Sequence, residues 1–379
     1  MASVASDMTT YETREASVPF RAGTDGYASY RIPAVVATDA GTVLAFAEGR
    51  VRSAADWGDI DVVLRRSRDG GRTWGPLQVV ARHEAGTAGN PAPVVTAEGR
   101  VVLVHVRSAA EATETRIRLG KVAPDDGRRV WVQHSDDDGA HWSRPREITR
   151  EVKRPEWRWY ATTPGHALRL RHGRHAGRLV VSANHSLPPA DPGHDGTEGR
   201  YNGGHALLSD DGGAHWRLGY VDDNPDDYVN VNETAAAQLP DGRIYVNART
   251  DARAPGNRAD AYSTDGGASL VKPFRPQAGL VAPVVQASVL HLDGVGRGGR
   301  GTLLFSGPAT PDARALMTVR ASDDGGRTWR AAHTVDGLPA AYSDLVRIDR
   351  STVGLLYETG DFSAYSTLTF RRIPVEDLT

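Results

Sequence analysis

The stretch Ser67–Trp74 reads Ser-Arg-Asp-Gly-Gly-Arg-Thr-Trp, and its pattern, Ser-x-Asp-x-Gly-x-x-Trp, recurs along the chain. Three further copies begin at Ser135, Ser209 and Ser322. A fifth copy begins at Ser263 and has Leu270 in place of the tryptophan. Successive copies start between 54 and 74 residues apart, a period long enough for one four-stranded sheet with variable loops. Repetition on this scale predicts the blades of a β-propeller.

Each copy follows a run of alternating apolar and polar residues such as Asp61–Arg66, so the motif is expected to close a β-hairpin. The aspartate can accept hydrogen bonds from the amides of the turn, the glycine supplies positive φ, and the tryptophan packs back over the turn. The segment Asp136–Gly139 superficially suggests a calcium loop. It lacks the alternating ligands and the final glutamate of an EF-hand, so a structural turn is the favoured interpretation.

The spacing of strands and turns predicts an all-β fold, a six-bladed β-propeller of four-stranded antiparallel blades with the repeated turns on the face opposite the active site. Residues 1–379 are expected to form a single catalytic domain with a disordered or loosely attached N-terminus at 1–10. The segment Tyr11–Phe20 is expected to supply the missing strand of the last blade and so close the ring.

Composition narrows the class of protein. Glycine and proline are abundant (41 and 22 of 379 residues) and 39% of residues are hydrophobic, which indicates a folded, turn-rich protein rather than a helical or disordered one. The net charge of −2 argues against a nucleic-acid-binding protein. No apolar run is long enough for a transmembrane helix, so an integral membrane protein is not expected.

The absence of cysteine excludes disulfides, thiol catalysis and cysteine-ligated zinc. The histidines show no metal-binding spacing, and no metal or cofactor is expected. The first residues lack the basic end and apolar stretch of a secretory signal. A cytoplasmic protein is therefore expected from the sequence as written, and a secreted one if an export leader has been removed.

A simple topological rule selects the functional face. In an antiparallel meander the start of the first strand, the end of the second and the start of the third lie at one rim. Eight polar residues fall at such positions, and all are expected to surround one mouth of the central channel: Arg31, Arg50, Asp56, Glu233, Arg249, Arg314, Tyr342 and Glu358. Titratable groups that converge on a mouth are the default prediction for an active site.

The stretch Arg31-Ile32-Pro33 followed by several Ser-x-Asp-x-Gly-x-x-Trp turns resembles the sialidase (neuraminidase) family of exo-glycosidases, from about Tyr27 onward. The resemblance implies a six-bladed propeller and a retaining exo-α-sialidase that hydrolyses terminal sialic acids from glycoconjugates. Sialylated glycans are therefore the expected partners.

The resemblance also implies roles for individual residues. Arg31, Arg249 and Arg314 match the three arginines that bind the substrate carboxylate. Tyr342 resembles the nucleophile and Glu233 its base. Asp56 resembles the acid/base residue on a loop, although Asp59 lies close to it. The remaining substrate-binding positions implied by the resemblance are Arg50, Glu358, which orients Arg31, and Asn90.

This set suits an acidic sugar. Three guanidinium groups give charge-assisted, partly bidentate contacts to a carboxylate that lysines could not match. A tyrosine nucleophile reaches the anionic substrate without charge, and sialidases are the known exception to the two-carboxylate rule for glycosidases. Trp157 and Trp159 either form a platform for the leaving group or pack in the core.

Three alternatives stay open from the sequence. The same residues could hydrolyse a related 2-keto acid sugar such as Kdn or Kdo, or could transfer rather than hydrolyse the sugar. A non-catalytic glycan-binding propeller is the third alternative, but it would have no reason to contain Asp56, Glu233 and Tyr342 together. Linkage preference and oligomeric state are not encoded in any pattern of the sequence.

Overall fold

The computed structural model describes residues 16–251, 256–296, 299 and 301–379. Its strands are numbered in chain order. The first is β1 (Ala16–Arg21). The two sets that follow are β2 (Ser29–Ala37), β3 (Val43–Arg50), β4 (Ile60–Ser67), β5 (Gln78–Ala81), β6 (Thr87–Val95), β7 (Val101–Ser108), β8 (Arg129–Ser135) and β9 (Arg146–Glu147). The middle sets are β10 (Tyr160–Thr162), β11 (Leu168–Arg169), β12 (Leu179–Ser186), β13 (Asn202–Ser209), β14 (Arg217–Asp222), β15 (Val231–Gln238), β16 (Ile244–Thr250), β17 (Arg258–Ser263) and β18 (Arg275–Pro276). The last sets are β19 (Ser288–Leu292), β20 (Thr302–Pro308), β21 (Met317–Ser322), β22 (Arg330–Thr334), β23 (Ala340–Arg347), β24 (Thr352–Thr359) and β25 (Thr367–Pro374).

Helix is a minor component of the described residues. Two short α-helices, α1 (Glu114–Arg118) and α2 (Thr149–Val152), lie in loops between strands, and a 3₁₀ turn at Val375–Asp377 follows the last strand. No helix in the described part of the chain has the length and apolar character needed to cross a membrane. The fold is therefore all-β, as predicted.

The number of blades differs from the prediction. Four separate sheets each contain a four-stranded path, namely β10-β12-β13-β14, β15-β16-β17-β18, β19-β20-β21-β22 and β1-β25-β24-β23. The first two strand sets are instead joined in one eight-stranded sheet. The prediction of six separate blades is therefore wrong, and the molecule is a propeller with four separate four-stranded blades plus this larger sheet.

The junction in the large sheet has a local cause. After β5 the chain turns back within a few residues, and the amide of Ile60 donates to the carbonyl of Gly86 over 3.2 Å. This contact places Ile60 of β4 beside Thr87 of β6 as a parallel pair. The repeat spacing in the sequence carries no information about such a bridge between neighbouring strand sets, because the bridge depends on the conformation of one loop.

The two ends of the chain meet in one sheet. Strand β1 pairs antiparallel with β25, which pairs with β24 and then β23. The prediction that Tyr11–Phe20 supplies the missing strand is confirmed for residues 16–20, whereas residues 11–15, like the proposed loose segment 1–10, lie outside the described residues. This pairing covers the edge of β25 and completes the four-stranded path of the last sheet.

The repeated turns have the predicted structure. In all five copies the serine hydroxyl donates to the aspartate carboxylate, the glycine amide donates to the serine oxygen, and the amide four residues after the aspartate donates to that carboxylate. In the first copy these distances are 2.7, 2.8 and 2.9 Å. The glycines have positive φ, with Gly71 at 88°. These bonds lower the pKa of Asp69 to about 2, against the opposing effect of its partial burial.

The innermost strands form the wall of a central channel. Strand β2 contacts β6 and β23, β10 contacts β6, β15 contacts β12 and β19, and β19 contacts β23. Their side chains are almost continuously buried, as in Ser29–Ala37 and Ala340–Arg347. Residues at the starts of these strands therefore share one end of the channel, and residues at their ends share the other.

Candidate active site

One mouth of the channel is formed by irregularities at equivalent places in four inner strands. The pairing register shifts at Arg31/Ala34, Gly89/Ala92, Val231/Thr234 and Ala340/Ser343. The predicted residues Arg31, Asn90, Glu233 and Tyr342 lie at or within these shifts. A β-bulge re-aims the side chains of a strand, and Ile32 and Asn90 have positive φ of 62° and 52°. These bulges, which no sequence pattern indicated, turn the four side chains toward the mouth.

Tyr342 and Glu233 form a buried pair at the centre. The Tyr342 hydroxyl donates a hydrogen bond to Oε1 of Glu233, although 109 residues separate them. Arg249 approaches both residues: its Nη1 lies 3.0 Å from Glu233 Oε2 and 3.3 Å from the Tyr342 hydroxyl. Asp251 holds the other side of Arg249 through a 2.9 Å bond to Nε. The arrangement joins a neutral hydroxyl, a carboxylate that can take its proton and a fixed cation.

Arg31 is held by a fully buried carboxylate. Its Nε donates to Glu358 Oε1 over 2.7 Å. Glu358 also accepts from the backbone amide of Ile32 at 3.0 Å and from the amide of Tyr342 at 3.2 Å. One buried carboxylate thus fixes the start of β2 against the start of β23, which is the orienting position expected of Glu358 from the sequence.

Arg314 completes the cationic group. It lies three residues before β21 rather than at the start of that strand, and its Nη1 donates to the hydroxyl of Tyr365 over 2.9 Å. The guanidinium carbon atoms of Arg31 and Arg314 lie 5.2 and 5.8 Å from the centre of the Tyr342 ring. The three predicted arginines therefore converge on one residue, Tyr342.

Asp56 lies on the loop between β3 and β4 at the edge of the same mouth. Its carboxylate contacts Arg50 at 2.6 Å and Arg31 at 3.7 Å, and its side chain is 72% exposed. Asp59, the neighbouring alternative, makes no ion pair with these two arginines. The structure thus brings Asp56 rather than Asp59 to the cationic group.

Arg50 and Asn90 share a partner. Arg50 is buried and its Nη2 lies 2.7 Å from Glu48 Oε2, while the amide of Asn90 donates to Glu48 Oε1 over 2.9 Å. The side-chain oxygen of Asn90 accepts from Arg128 at 3.2 Å. Both predicted residues thus belong to one buried polar network beside Asp56.

The pKa values of the buried pair are raised, whereas the pKa of the loop residue Asp56 is lowered. Burial raises the pKa of Tyr342 well above its ordinary value, and Glu233 raises it further, against Arg249 and Arg31. Burial also raises the pKa of Glu233, despite Arg249. For Asp56, loss of hydration favours a higher pKa, but Arg50 and Arg31 together outweigh it, so the pKa lies below its usual value. The charged carboxylate of Asp56 is therefore stabilised by these arginines.

Sequence reasoning missed several contributors. Glu48 and Asp251 each lie two residues from a predicted arginine along a strand, and this period-two spacing could have indicated them. Tyr365 has no comparable signal, since it reaches Arg31 and Arg314 from a loop. Trp157 and Trp159 are buried, Trp157 against His185 and Trp159 against Arg128, so core packing is the correct alternative for both. Within the described ranges, no three His, Asp or Glu residues are grouped as a metal site requires.

Comparison with protein families and with known proteins identifies relatives of the chain. The family model of a BNR repeat-like domain matches residues 41–355. The chain is 32% identical over 353 residues to a sialidase of Micromonospora viridifaciens, an alignment that covers 91% of this chain and 52% of that protein. It is 30% identical over 383 residues to an exo-alpha-sialidase of Aspergillus fumigatus, covering 92% of this chain and 84% of that one.

Solved structures agree with these matches. The Hadza microbial sialidase Hz136 is similar with a TM-score of 0.80 and 28% identity, over 95% of this chain and 68% of that chain. An intramolecular trans-sialidase from Ruminococcus gnavus has a TM-score of 0.76 at 18% identity, over 96% and 99% of the two chains, and shows likeness of fold alone.

The chain spans about half the length of the Micromonospora sialidase and 64% of the length of a Bacteroides fragilis sialidase that is 30% identical to it. The match to the Aspergillus protein, in contrast, extends over most of both chains. Together with the repeat-family match, it establishes the relationship: the chain belongs to the sialidase family of glycoside hydrolases.

Proposed function

We propose that the protein is a retaining exo-α-sialidase that removes terminal sialic acid from glycoconjugates through a covalent intermediate on Tyr342. The observation that carries the proposal is the convergence of Arg31, Arg249 and Arg314 on a tyrosine whose hydroxyl donates to Glu233. The described sheets would act as one catalytic domain.

The three arginines suit a sugar with a carboxylate on its anomeric carbon. Glu358 occupies one side of Arg31, and Asp251 occupies one side of Arg249. Arg314 has only the hydroxyl of Tyr365 and a backbone carbonyl as partners within the described residues. A carboxylate about 4 Å from one guanidinium gains about 4 kcal/mol at an effective dielectric near 20. Binding an anion here supplies the charge that Arg314 lacks.

The same anion explains a tyrosine nucleophile. A carboxylate in place of Tyr342 would meet the substrate carboxylate with a repulsion of about 4 kcal/mol at the same distance and dielectric. The Tyr342 hydroxyl is uncharged in the free protein because burial raises its pKa. Its oxygen attacks the anomeric carbon as its proton passes to Glu233, the acceptor of its hydrogen bond.

Asp56 would complete both steps. In the first step it donates a proton to the glycosidic oxygen as the bond from the anomeric carbon breaks. In the second step it accepts a proton from the water that attacks the anomeric carbon, the bond to Tyr342 breaks, and Glu233 returns the proton to the tyrosine oxygen. An anionic substrate bound at the arginines offsets their field at Asp56, which raises the carboxyl pKa toward the range a proton donor needs.

The stereochemical course tests the proposal directly. A sialyl glycoside is incubated with the protein and the released sugar is followed by proton NMR from the first minutes. Two displacements predict that the α-anomer forms first and then mutarotates. Initial formation of the β-anomer would contradict the tyrosine intermediate, and the absence of any cleavage would contradict the activity. A sugar acceptor added to the same reaction distinguishes transfer from hydrolysis.

A further inference from the structure

A second cavity opens at the opposite mouth of the central channel. It is lined by the ends of the same inner strands whose starts carry the candidate active site, including Val35–Ala37 of β2, Ala236–Gln238 of β15 and Leu345–Arg347 of β23. At about 3.3 Å per residue, three to five residues along β23 separate this cavity from Tyr342 by about 10 to 17 Å. Its volume is about 190 Å³, which suits a small molecule rather than a polymer.

The cavity has a mixed lining. Valine, alanine and leucine residues line part of the wall, and polar atoms make up the larger share of its surface. The base carries His166, whose Nδ1 lies 2.7 Å from Oδ1 of the buried Asp344. Asp344 also accepts from the amides of Val35 and His166 and from the hydroxyl of Ser288, at 2.7 to 2.8 Å. The position of the imidazole is thus fixed by several strands.

The other nitrogen of His166 is available to a ligand. Nε2 makes no hydrogen bond to any described residue, and the ring lines the cavity. Burial by itself would lower the pKa of His166, but Asp344 outweighs this effect and raises it. Because Nδ1 donates to Asp344, Nε2 carries an N–H when the ring is protonated and a lone pair when the ring is neutral, and in either form it has no partner among the described residues. An unpartnered polar atom in a partly enclosed site favours a polar group on whatever binds there.

The rim carries two arginines that the fold does not use. Arg169 and Arg171 both line the cavity, and within the described ranges neither side chain makes a hydrogen bond or an ion pair. Partial burial and the charge of Arg171 lower the pKa of Arg169, against the opposing effect of the carboxylates of Asp39 and Glu98. Asp39, also at the rim, is more than 4 Å from both guanidinium groups. The nearby Asp293 is held by His291 at 2.8 Å.

We propose that this second mouth is a binding site for a small organic carboxylate. Its carboxylate contacts Arg169 and Arg171, its apolar part lies against the apolar residues of the inner strands, and a polar atom of the ligand can form a hydrogen bond with His166 Nε2. Neither the proposed hydrolysis nor the family comparison assigns a ligand to this end of the channel. The proposal is independent of the chemistry at Tyr342.

The test is a calorimetric titration of the whole protein with hexanoate at pH 6, with hexan-1-ol as the neutral comparison. Hexanoate is expected to bind, and the double variant Arg169→Gln/Arg171→Gln is expected to bind at least tenfold more weakly. Arg68→Gln, which changes an exposed arginine in the first repeated turn, serves as the matched control and should bind as the unaltered protein does. Hexan-1-ol should bind at least tenfold more weakly than hexanoate.

The candidate active site also contains arginines to which hexanoate can bind. The variant Arg314→Ala therefore distinguishes binding at that mouth from binding at the second mouth. Retention of hexanoate binding in Arg314→Ala, with its loss in Arg169→Gln/Arg171→Gln, supports the proposal. Loss in Arg314→Ala alone, equal binding by the double variant, equal binding of the alcohol, or no binding to the unaltered protein would each overturn it. Equal thermal midpoints show that the variants fold, and because binding is the readout, failure of the sialidase proposal leaves this test unaffected.

Discussion

The buried centre of the candidate active site and its loop differ in how their groups are held. Tyr342 and Glu233 lie on inner strands, and Glu358 lies on β24, the strand next to β23. All three are almost fully buried and bond to one another or to fixed arginines. Asp56 lies on the loop between β3 and β4 with most of its side chain exposed. The contacts at the centre are therefore already formed in the free protein, whereas Asp56, the proposed proton donor, would take its final environment only with substrate bound. Chemistry at the centre should be sensitive to single atoms, and chemistry at the loop to the substrate.

The largest effect is expected from Tyr342→Phe. This change removes the attacking oxygen and its two hydrogen bonds, with Glu233 and Arg249, but keeps the ring near Arg31 and Arg314. We expect kcat on a sialyl glycoside to fall by about 10⁴-fold or more, while a sialic-acid-like inhibitor still binds. Turnover is measured with a fluorogenic substrate and binding by calorimetry. Activity within tenfold of the unaltered protein would contradict the nucleophile assignment.

Glu233→Gln should have the next largest effect. The amide keeps the shape of the side chain but cannot accept the phenolic proton, so kcat should fall by about 10² to 10⁴-fold. Tyr342→Phe/Glu233→Gln should be scarcely worse than Tyr342→Phe, because the two residues would act as one unit. Additive losses in this double-mutant cycle would show that they act separately.

Asp56→Asn tests the role of the loop residue by a comparison of two substrates that differ in their leaving groups. An alkyl glycoside needs its leaving oxygen protonated, and kcat should fall by about 10²-fold. A 4-nitrophenyl glycoside has a good leaving group, so its first step should be nearly unaffected. Asp59→Asn is the matched control and should leave both rates within twofold. Equal losses of kcat/KM, which reports the first step, on the two substrates would argue against a proton-donor role for Asp56.

A smaller change is expected in the pH profile of Arg50→Gln. The positive charges of Arg50 and Arg31 outweigh the effect of lost hydration and hold the pKa of Asp56 down. Removal of one positive charge raises that pKa, so the protonated acid persists to higher pH. The descending limb of kcat/KM against pH, which reports the free protein, should move to higher pH. Arg52→Gln in the same loop should leave the limb in place, and an unmoved limb in Arg50→Gln would exclude the coupling.

The smallest effect is expected in the first repeated turn, outside both the buried centre and the loop that carries Asp56. Asp69→Ala removes the acceptor of the first repeated turn, and the free energy of unfolding should fall by about 1 kcal/mol with kcat unchanged. The pKa of Asp69 is depressed to about 2, so its contribution is present above the unfolded value near 4 and is lost as pH falls toward 2. Urea unfolding at pH 7 and pH 2.5 measures both. A stability difference that grows on acidification would contradict the prediction.

Much of this organisation could be predicted because it repeats or alternates. The turn at Ser67 and its copies gave the propeller, and the rule for strand ends collected Arg31, Arg249 and Tyr342 at one mouth. The joined eight-stranded sheet could not be predicted, since it depends on a single backbone bond between Ile60 and Gly86. The contacts of Tyr365 depend on loop conformation in the same way.

The bulges show a subtler limit. In a regular strand such as β2 or β23, side chains at alternate positions point to opposite faces of the sheet. A bulge interrupts this alternation where Arg31 and Tyr342 lie, so their faces cannot be assigned by counting residues. The positions of strand ends, rather than of strand faces, predict the residues at the mouth. Glu48 lies two residues before Arg50 on the same strand, and this spacing predicts a partner for that arginine.

The pairing of β1 with β25 has a consequence for synthesis in the cell. Arg31 emerges from the ribosome before Glu358, which fixes it and lies 327 residues further along the chain. The nascent chain can form its middle sheets as they emerge, but the candidate active site cannot assemble until translation has passed β24. A fragment released by premature termination upstream of β24 would therefore lack the proposed activity, and its β1 would have no partner strand.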